Sequence, residues 1–113
     1  MAEIKELVDI CVNVISEKKG EDIKIFDITG LSPLADYFVL ATGSNPNQLH
    51  AIADEIGEKL SKLNVHPKQI EGYQSANWIL CDYGDFMIHL FMPEARDFYN
   101  LERIWRDAKI ESV

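Results

Sequence analysis

The sequence predicts an α/β fold, a mixed five-stranded sheet with flanking helices, and three observations carry that expectation. Residues 4–15 and 49–63 repeat apolar side chains with the i, i+3, i+4 rhythm of amphipathic helices. Shorter apolar-rich runs, bounded by Gly, Pro, Asn and Asp, read as strands between and after them. The connections are too short for a second domain, and 113 residues suffice to bury a core without metal or disulfide, so residues 1–113 read as one domain.

Taken in order, Ile4, Leu7, Val8, Cys11, Val14 and Ile15 form the stripe of a first helix, with Lys18 and Lys19 near its end and Gly20 as the stop. Ile23 to Asp27 alternates as a short strand, Thr29 to Pro33 is a turn-rich connection, and Tyr37 to Thr42 is the next strand. Asn45 is placed as an N-cap, Pro46 at the first helical position and Gln48 where a capping box would put it. Leu49, Ile52, Ala53, Ile56, Leu60 and Leu63 then line one face of a second helix, ended by Asn64 and Pro67. Lys68 to Ser75 gives a weak, polar strand. A last helical stretch opens at Pro93-Glu94, with Phe98, Leu101, Ile104 and Trp105 as its buried stripe.

The chain is organised around residues 77–93. Two apolar runs, Trp78 to Cys81 and Phe86 to Phe91, flank Asp82-Tyr83-Gly84-Asp85, whose glycine can take the positive φ a tight hairpin demands. Alternation puts Trp78, Leu80 and Asp82 on one face and Ile79 and Cys81 on the other, and both faces are apolar. A strand pair solvated on one side should alternate apolar with polar, so this hairpin expects cover on both. If the helices gather on one side, the Trp78 side is left for a partner.

Eleven Lys and Arg against nineteen Asp and Glu give a formal charge of −8, which repels phosphate backbones and attracts basic partners, among which ribosomal proteins are a large class. No apolar run approaches the roughly 18 residues of a membrane span. The N-terminus carries acidic residues where a secretory signal would be basic, and it reads as a cytosolic start, giving a cytoplasmic expectation. Cys11 and Cys81 lie in apolar stretches without a ligand partner at metal spacing, and read as buried reduced thiols.

Gly43-Ser44, between a strand and a helix, resembles the turn with which nucleotidyltransferases hold phosphate. Those enzymes add two carboxylates one residue apart on a following strand to hold metals. Asp82 and Asp85 are three apart across a turn, and a capped helix start accounts for Gly43-Ser44 without a ligand. An enzyme or nucleotide-binding protein using that turn is the alternative reading. His50, His66 and His89 are scattered, and no Ser, Cys or Lys is paired with a base. His89 interrupts an apolar strand on the Met87 and Phe91 face, as a satisfied polar group or as a partner contact.

Asp36-Tyr37-Phe38-Val39, Gly43-Ser44 with Gln48, Gly72, the run Trp78 to Asp85, His89-Leu90-Phe91, and Arg96 with Tyr99, Leu101, Glu102 and Trp105 together resemble the ribosomal silencing factor family, also called the iojap or RsfS family. The resemblance covers nearly the whole chain. Cys81 stands where the family more usually has an aliphatic residue. The resemblance implies a nucleotidyltransferase-like fold without the catalytic acids, no enzymatic activity, and no cofactor or metal. It implies binding to the large ribosomal subunit through the ribosomal protein numbered fourteen, at the intersubunit face, with little direct nucleic-acid contact. Small-subunit joining would be blocked sterically and translation lowered under nutrient limitation. It places the partner on the hairpin, so Trp78, Leu80, Asp82, Tyr83, Asp85 and His89 are the candidate contact residues. A second copy of the chain covering the same face in a free homodimer is a further candidate occupant.

Overall fold

A computed structural model describes residues 3–33, 35–98 and 107–113. Helix α1 (Ile4–Glu17) buries Leu7, Val8, Cys11, Val14 and Ile15 of the predicted stripe, together with Val12, while Ile4 at its start is partly buried. Its end is a left-handed turn in which Gly20 N–H donates to Ile15 C=O (2.8 Å) and Lys19 N–H to Ser16 C=O (3.0 Å). Lys19, not Gly20, takes the positive φ of 66°. Gly20 is needed for close approach, because a Cβ there would collide with the Ile15 side chain.

Strands β1 (Glu21–Asp27) and β2 (Tyr37–Thr42) pair antiparallel, and α2 (Pro46–Ser61) follows. Asn45 Oδ1 accepts the Gln48 N–H (2.8 Å), so the N-cap falls where the sequence puts it. Asn64, at φ 60°, closes the far end, with Val65 N–H on Leu60 C=O (2.9 Å). The weak strand shrinks to β3 (Gln69–Glu71), and β4 (Trp78–Asp82) and β5 (Phe86–Phe91) form the hairpin. Helix α3 spans Pro93–Phe98, while Leu101, Ile104 and Trp105 of its predicted stripe lie outside the described residues.

Among the described residues the sheet has six strands in the order β3-β4-β5-β2-β1-β6, one more than the five expected. The additional strand, β6 (Lys109–Ser112), returns antiparallel onto β1. It carries one apolar residue in four and so lacks the alternation that marks a strand in sequence. β2 and β5 pair in parallel across the middle, which makes the sheet mixed.

Both long helices pack on one face. There Leu7, Val8, Cys11, Ile15, Leu49, Ile52, Ile56 and Leu60 meet Ile25, Val39, Ala41, Ile79, Cys81, Ile88 and Leu90 in one buried cluster. The other face holds a smaller cluster of Phe26, Ile28, Ala35, Phe38, Leu40 and Phe91, partly roofed by Ala95 of α3 and by Ala108. The two long helices thus share one side, while α3 roofs part of the other.

Candidate functional site: a half-covered aromatic face

The hairpin register builds this second face. Trp78 lies opposite Phe91, Leu80 opposite His89, and Asp82 opposite Met87, while the parallel ladder sets Phe38 beside Met87 and Leu40 beside His89. Residues paired this way share a face. Ile79 and Cys81 point to the helices and are fully buried, whereas Trp78, Leu80, Asp82 and Met87 are each half-buried.

His89 sits at the centre of the face, only 5% exposed. Its ring meets Phe38 edge-on (4.9 Å between centroids) and stacks with Trp78 (5.9 Å) and Phe91 (6.0 Å). The Trp78 indole N–H donates to His89 Nδ1 (3.1 Å), which requires Nδ1 unprotonated and puts the ring proton on Nε2. Nε2 is buried without a hydrogen-bond partner among the described residues. Burial, and after it the Arg96 guanidinium, pushes the imidazole down to about 4, so His89 is neutral at physiological pH. Trp78 also stacks on Phe91 (5.2 Å). The indole is therefore held from below by a stack and a hydrogen bond, with its outer part open.

The rim of the face is acidic on balance: Glu71 and the neutral Gln69 of β3 are exposed opposite Leu80 and Asp82, Asp85 is exposed at the turn, and Lys68 lies against Gly84. Asp82 caps that turn, because its Oδ1 accepts the Gly84 N–H (2.8 Å) and lets Gly84 hold φ 90°. Asp85 instead lends its carbonyl to the Asp36 N–H (2.8 Å), tying the turn to the start of β2.

The structure separates the six candidates. Trp78, Leu80 and Asp82 lie together and partly open, and Asp85 is exposed at their end. Tyr83 is turned away: it is buried on the helix side, stacked on Phe86 (5.1 Å), and burial raises its hydroxyl above the ordinary phenol range. His89 is on the right face but beneath it. Tyr83 and His89 thus shape the surface without presenting one, and Met87 and Glu71, which sequence reasoning left out, present more. Cross-strand register, invisible in single-sequence alternation, is the signal that finds them.

The entry to β4 is braced from behind. The Tyr73 hydroxyl donates to the Asp54 carboxylate (2.9 Å) and its ring stacks on His50 (4.4 Å), pinning the β3–β4 loop to α2. Gly72, at φ 74°, passes so close to Trp78 that a Cβ would collide with the Trp78 carbonyl. At the opposite end, buried Arg96 donates to Thr42 Oγ1 (3.2 Å) and to the Asp22 carbonyl (3.2 Å), and pairs with the Asp22 carboxylate (3.3 Å). That clamp holds α3 against the β1 bulge, where Asp22 takes φ 50°.

At Gly43-Ser44 the donors a phosphate would need are already engaged. Gln48 Oε1 accepts from Ser44 N–H (2.6 Å) and from Ser44 Oγ–H (3.0 Å), so the carboxamide fills the mouth of the turn. The Gln48 amide group donates in turn to the Lys18 and Lys19 carbonyls (3.0 Å each), joining the end of α1 to the start of α2. Among the described residues, no group of three or more His, Cys, Asp or Glu is placed to hold a metal. Burial pushes the Cys11 and Cys81 thiols up to about 12, so neither is a thiolate at neutral pH.

These features define an α/β protein with a mixed six-stranded sheet, two long helices packed on one face and a partly covered aromatic strip on the other. A family model described as "Ribosomal silencing factor during starvation" matches residues 1–113, and the chain belongs to that family. It is 37% identical over 109 residues to the ribosomal silencing factor of Bacillus subtilis, an alignment covering 96% of this chain and 92% of the relative. It is 29% identical over 101 residues to a mouse protein named for mitochondrial assembly of the ribosomal large subunit, covering 87% of this chain and 44% of that one. A crystal structure of a Chromobacterium violaceum protein superposes with a TM-score of 0.89 at 32% identity, covering 93% of this chain and 88% of the other. No helix among the described residues is long and apolar enough to cross a membrane.

Proposed function

We propose that this protein acts in the cytoplasm as a steric plug on the large ribosomal subunit, docking through the Trp78 face onto the ribosomal protein numbered fourteen and so preventing the small subunit from joining. Translation falls when nutrients are short because fewer subunits pair, and no bond is made or broken. The observation that carries the reading is the strip Trp78, Leu80, Asp82 and Met87, half open and rimmed by Glu71 and Asp85, in a chain of charge −8. A rigid aromatic anchor with an acidic rim suits a basic protein surface, with the apolar centre supplying affinity and the rim supplying encounter rate. Family membership supports it, as does a mouse relative named for assembly of the large subunit. Gln48 lying in the Gly43-Ser44 turn counts against the enzyme alternative.

The test is co-sedimentation with purified large subunits. Wild type pellets with the subunit and lowers its association with small subunits, while Leu80→Arg, which sets a cation in the strip, stays in the supernatant with an unchanged melting curve. Equal pelleting of the two would remove the strip from the interface. In parallel, a thermal shift with nucleotide and Mg²⁺ is expected to be flat, and a clear upward shift would reinstate the enzyme.

A further inference from the structure

The edge of the sheet beside α2 is incompletely closed. After α2 the chain turns back through Val65 and Lys68, runs as β3 along the helix, and reaches Tyr73, which meets His50 and Asp54. His50, Asp54, Gly57 and Ser61 recur at helical spacing and form one flank of α2, and the Tyr73 contacts turn that flank toward β3. Gly57 stands in the middle of it, although glycine weakens a helix interior. Packing does not require it, because among the described residues a Cβ there would meet nothing within 4 Å. Ile70, opposite Cys81 and so on the helix side of the sheet, keeps 42% of its surface in water. A gap with an apolar wall therefore lies between Ile70 and α2.

The hairpin fixes the direction of the β3 peptide groups. Tyr83 N–H donates to Phe86 C=O (3.0 Å) and Met92 N–H to Asn77 C=O (2.8 Å), so along β4 it is Ile79 and Cys81 that exchange hydrogen bonds with β5. Trp78, Leu80 and Asp82 turn theirs toward β3, where Asp82 C=O accepts the Lys68 N–H (2.7 Å). Gln69 and Glu71 answer Asp82 and Leu80, and Ile70 turns its N–H and C=O away from the sheet. An open edge with an unspent donor and acceptor is a template for another strand. The exposed charges around it are mostly acidic, with Glu71 on the edge and Asp54 and Glu58 on α2, against Lys62 near Glu58 and Lys68 at the far end of β3.

We propose that β3 is a docking edge for an extended segment of another protein in which a basic residue is followed by a β-branched apolar one. Aligned antiparallel, the apolar residue lies opposite Ile70 and exchanges both peptide hydrogen bonds with it. Its side chain points to the helix side, against Ile70 and over Gly57, where the missing Cβ leaves it room. The preceding residue falls opposite Glu71 and the following one opposite Gln69, so one cation is specified and its position is fixed. A slip by one residue turns the cation toward Gly57 and the apolar side chain toward Glu71. Main-chain bonds thus supply affinity and the alternating side chains supply specificity. With a single bonded pair at its centre, the contact is weak and exchanges readily. It uses Glu71 of the acidic rim and none of the Trp78 strip, and so does not rest on the ribosome reading.

The experiment is a titration of the full, isotope-labelled chain with the peptide acetyl-Thr-Arg-Val-Thr-Thr-amide, followed through the amide resonances. Ile70 should shift and its amide exchange should slow, while Ile110 on the opposite edge stays unchanged. Methylating the valine nitrogen removes one of the two central hydrogen bonds and should abolish the shifts. Glu71→Lys should weaken binding roughly fivefold, and exchanging the peptide arginine for glutamate should recover it. Gly57→Leu should melt no lower than wild type and exclude the peptide. An Ile70 resonance unmoved at millimolar peptide, equal binding of the methylated peptide, a charge exchange that fails to recover affinity, or a folded Gly57→Leu that binds like wild type would each overturn the proposal.

Discussion

Truncating Trp78 separates what the indole does for the fold from what it does for a partner. In the folded chain it stacks on Phe91 at 5.2 Å and gives its N–H to His89 at 3.1 Å. The stack is worth about 1 kcal/mol, and stranding the nearly buried His89 acceptor costs about 1 kcal/mol more. The side chain is only partly buried, so the remaining transfer loss falls short of the ~3–5 kcal/mol of a full core aromatic truncation. Trp78→Ala should therefore lower unfolding stability by about 2–3 kcal/mol and weaken large-subunit binding by roughly 2 kcal/mol or more, the range of an interface anchor. Trp78→Phe keeps the stack and drops only the N–H, so it should lose about 1 kcal/mol of stability while retaining most of the affinity. Denaturant unfolding and subunit pelleting on the same protein preparations measure both. A Trp78→Ala protein that unfolds like wild type and pellets like wild type would refute both roles, and with them the choice of this face.

His89 gives a pH prediction of definite sign. Its folded value of about 4 lies below the ordinary 6.5, so the unfolded state takes up the proton first; stability is full above about pH 6.5 and falls as pH drops toward 4, by up to about 3 kcal/mol. Melts of wild type and His89→Phe across that window should differ in slope, and parallel curves would mean that His89 is not held neutral. At the α2 start, Ser44→Ala should cost at most ~1 kcal/mol and leave ribosome binding intact, whereas Gln48→Ala, which removes the link between the ends of α1 and α2 but leaves its exposed partners to water, should cost about 1 kcal/mol. Ribosome binding lost in a normally melting Ser44→Ala would reopen the phosphate reading. Asp85→Asn should slow association at low salt and change little at high salt, while Asp82→Ala should also destabilise by about 1 kcal/mol through the lost Gly84 cap. Stopped-flow rates at two ionic strengths, beside thermal melts, distinguish these effects.

Local periodicity and cap chemistry carried much of the architecture. The stripes of α1 and α2, the Asn45 cap, and β2 and β5 stand where alternation and turn residues put them, except that Leu63, expected on the buried stripe, lies past the end of α2 and is 48% exposed because the chain has already turned away from the sheet there. β6 was not legible, since Lys-Ile-Glu-Ser on an open edge has no face to bury and so no pattern to show. The parallel seam of β2 on β5 was not legible either, because nothing within either strand names its neighbour. At the site, alternation assigned Trp78, Leu80 and Asp82 to one face correctly. It could not say that His89 lies under Trp78 or that Tyr83 folds back onto Phe86, since both depend on which side the helices occupy and on the bend at Gly84.

The parallel seam has a kinetic meaning. β1 with β2, and β3 with β4 and β5, are neighbours in sequence and can find their registers within short loops, but the seam must bring Tyr37 to Phe86 before either half is covered. Closing so long a segment has an entropy penalty that no local turn offsets, so the seam belongs to the rate-limiting ensemble while the edges join afterwards. Amide protons of Val39 and Ile88 should then exchange only through global unfolding, and those of β3 and β6 through local fraying. A chain arranged this way can release and re-form its margins many times during the life of one folded centre.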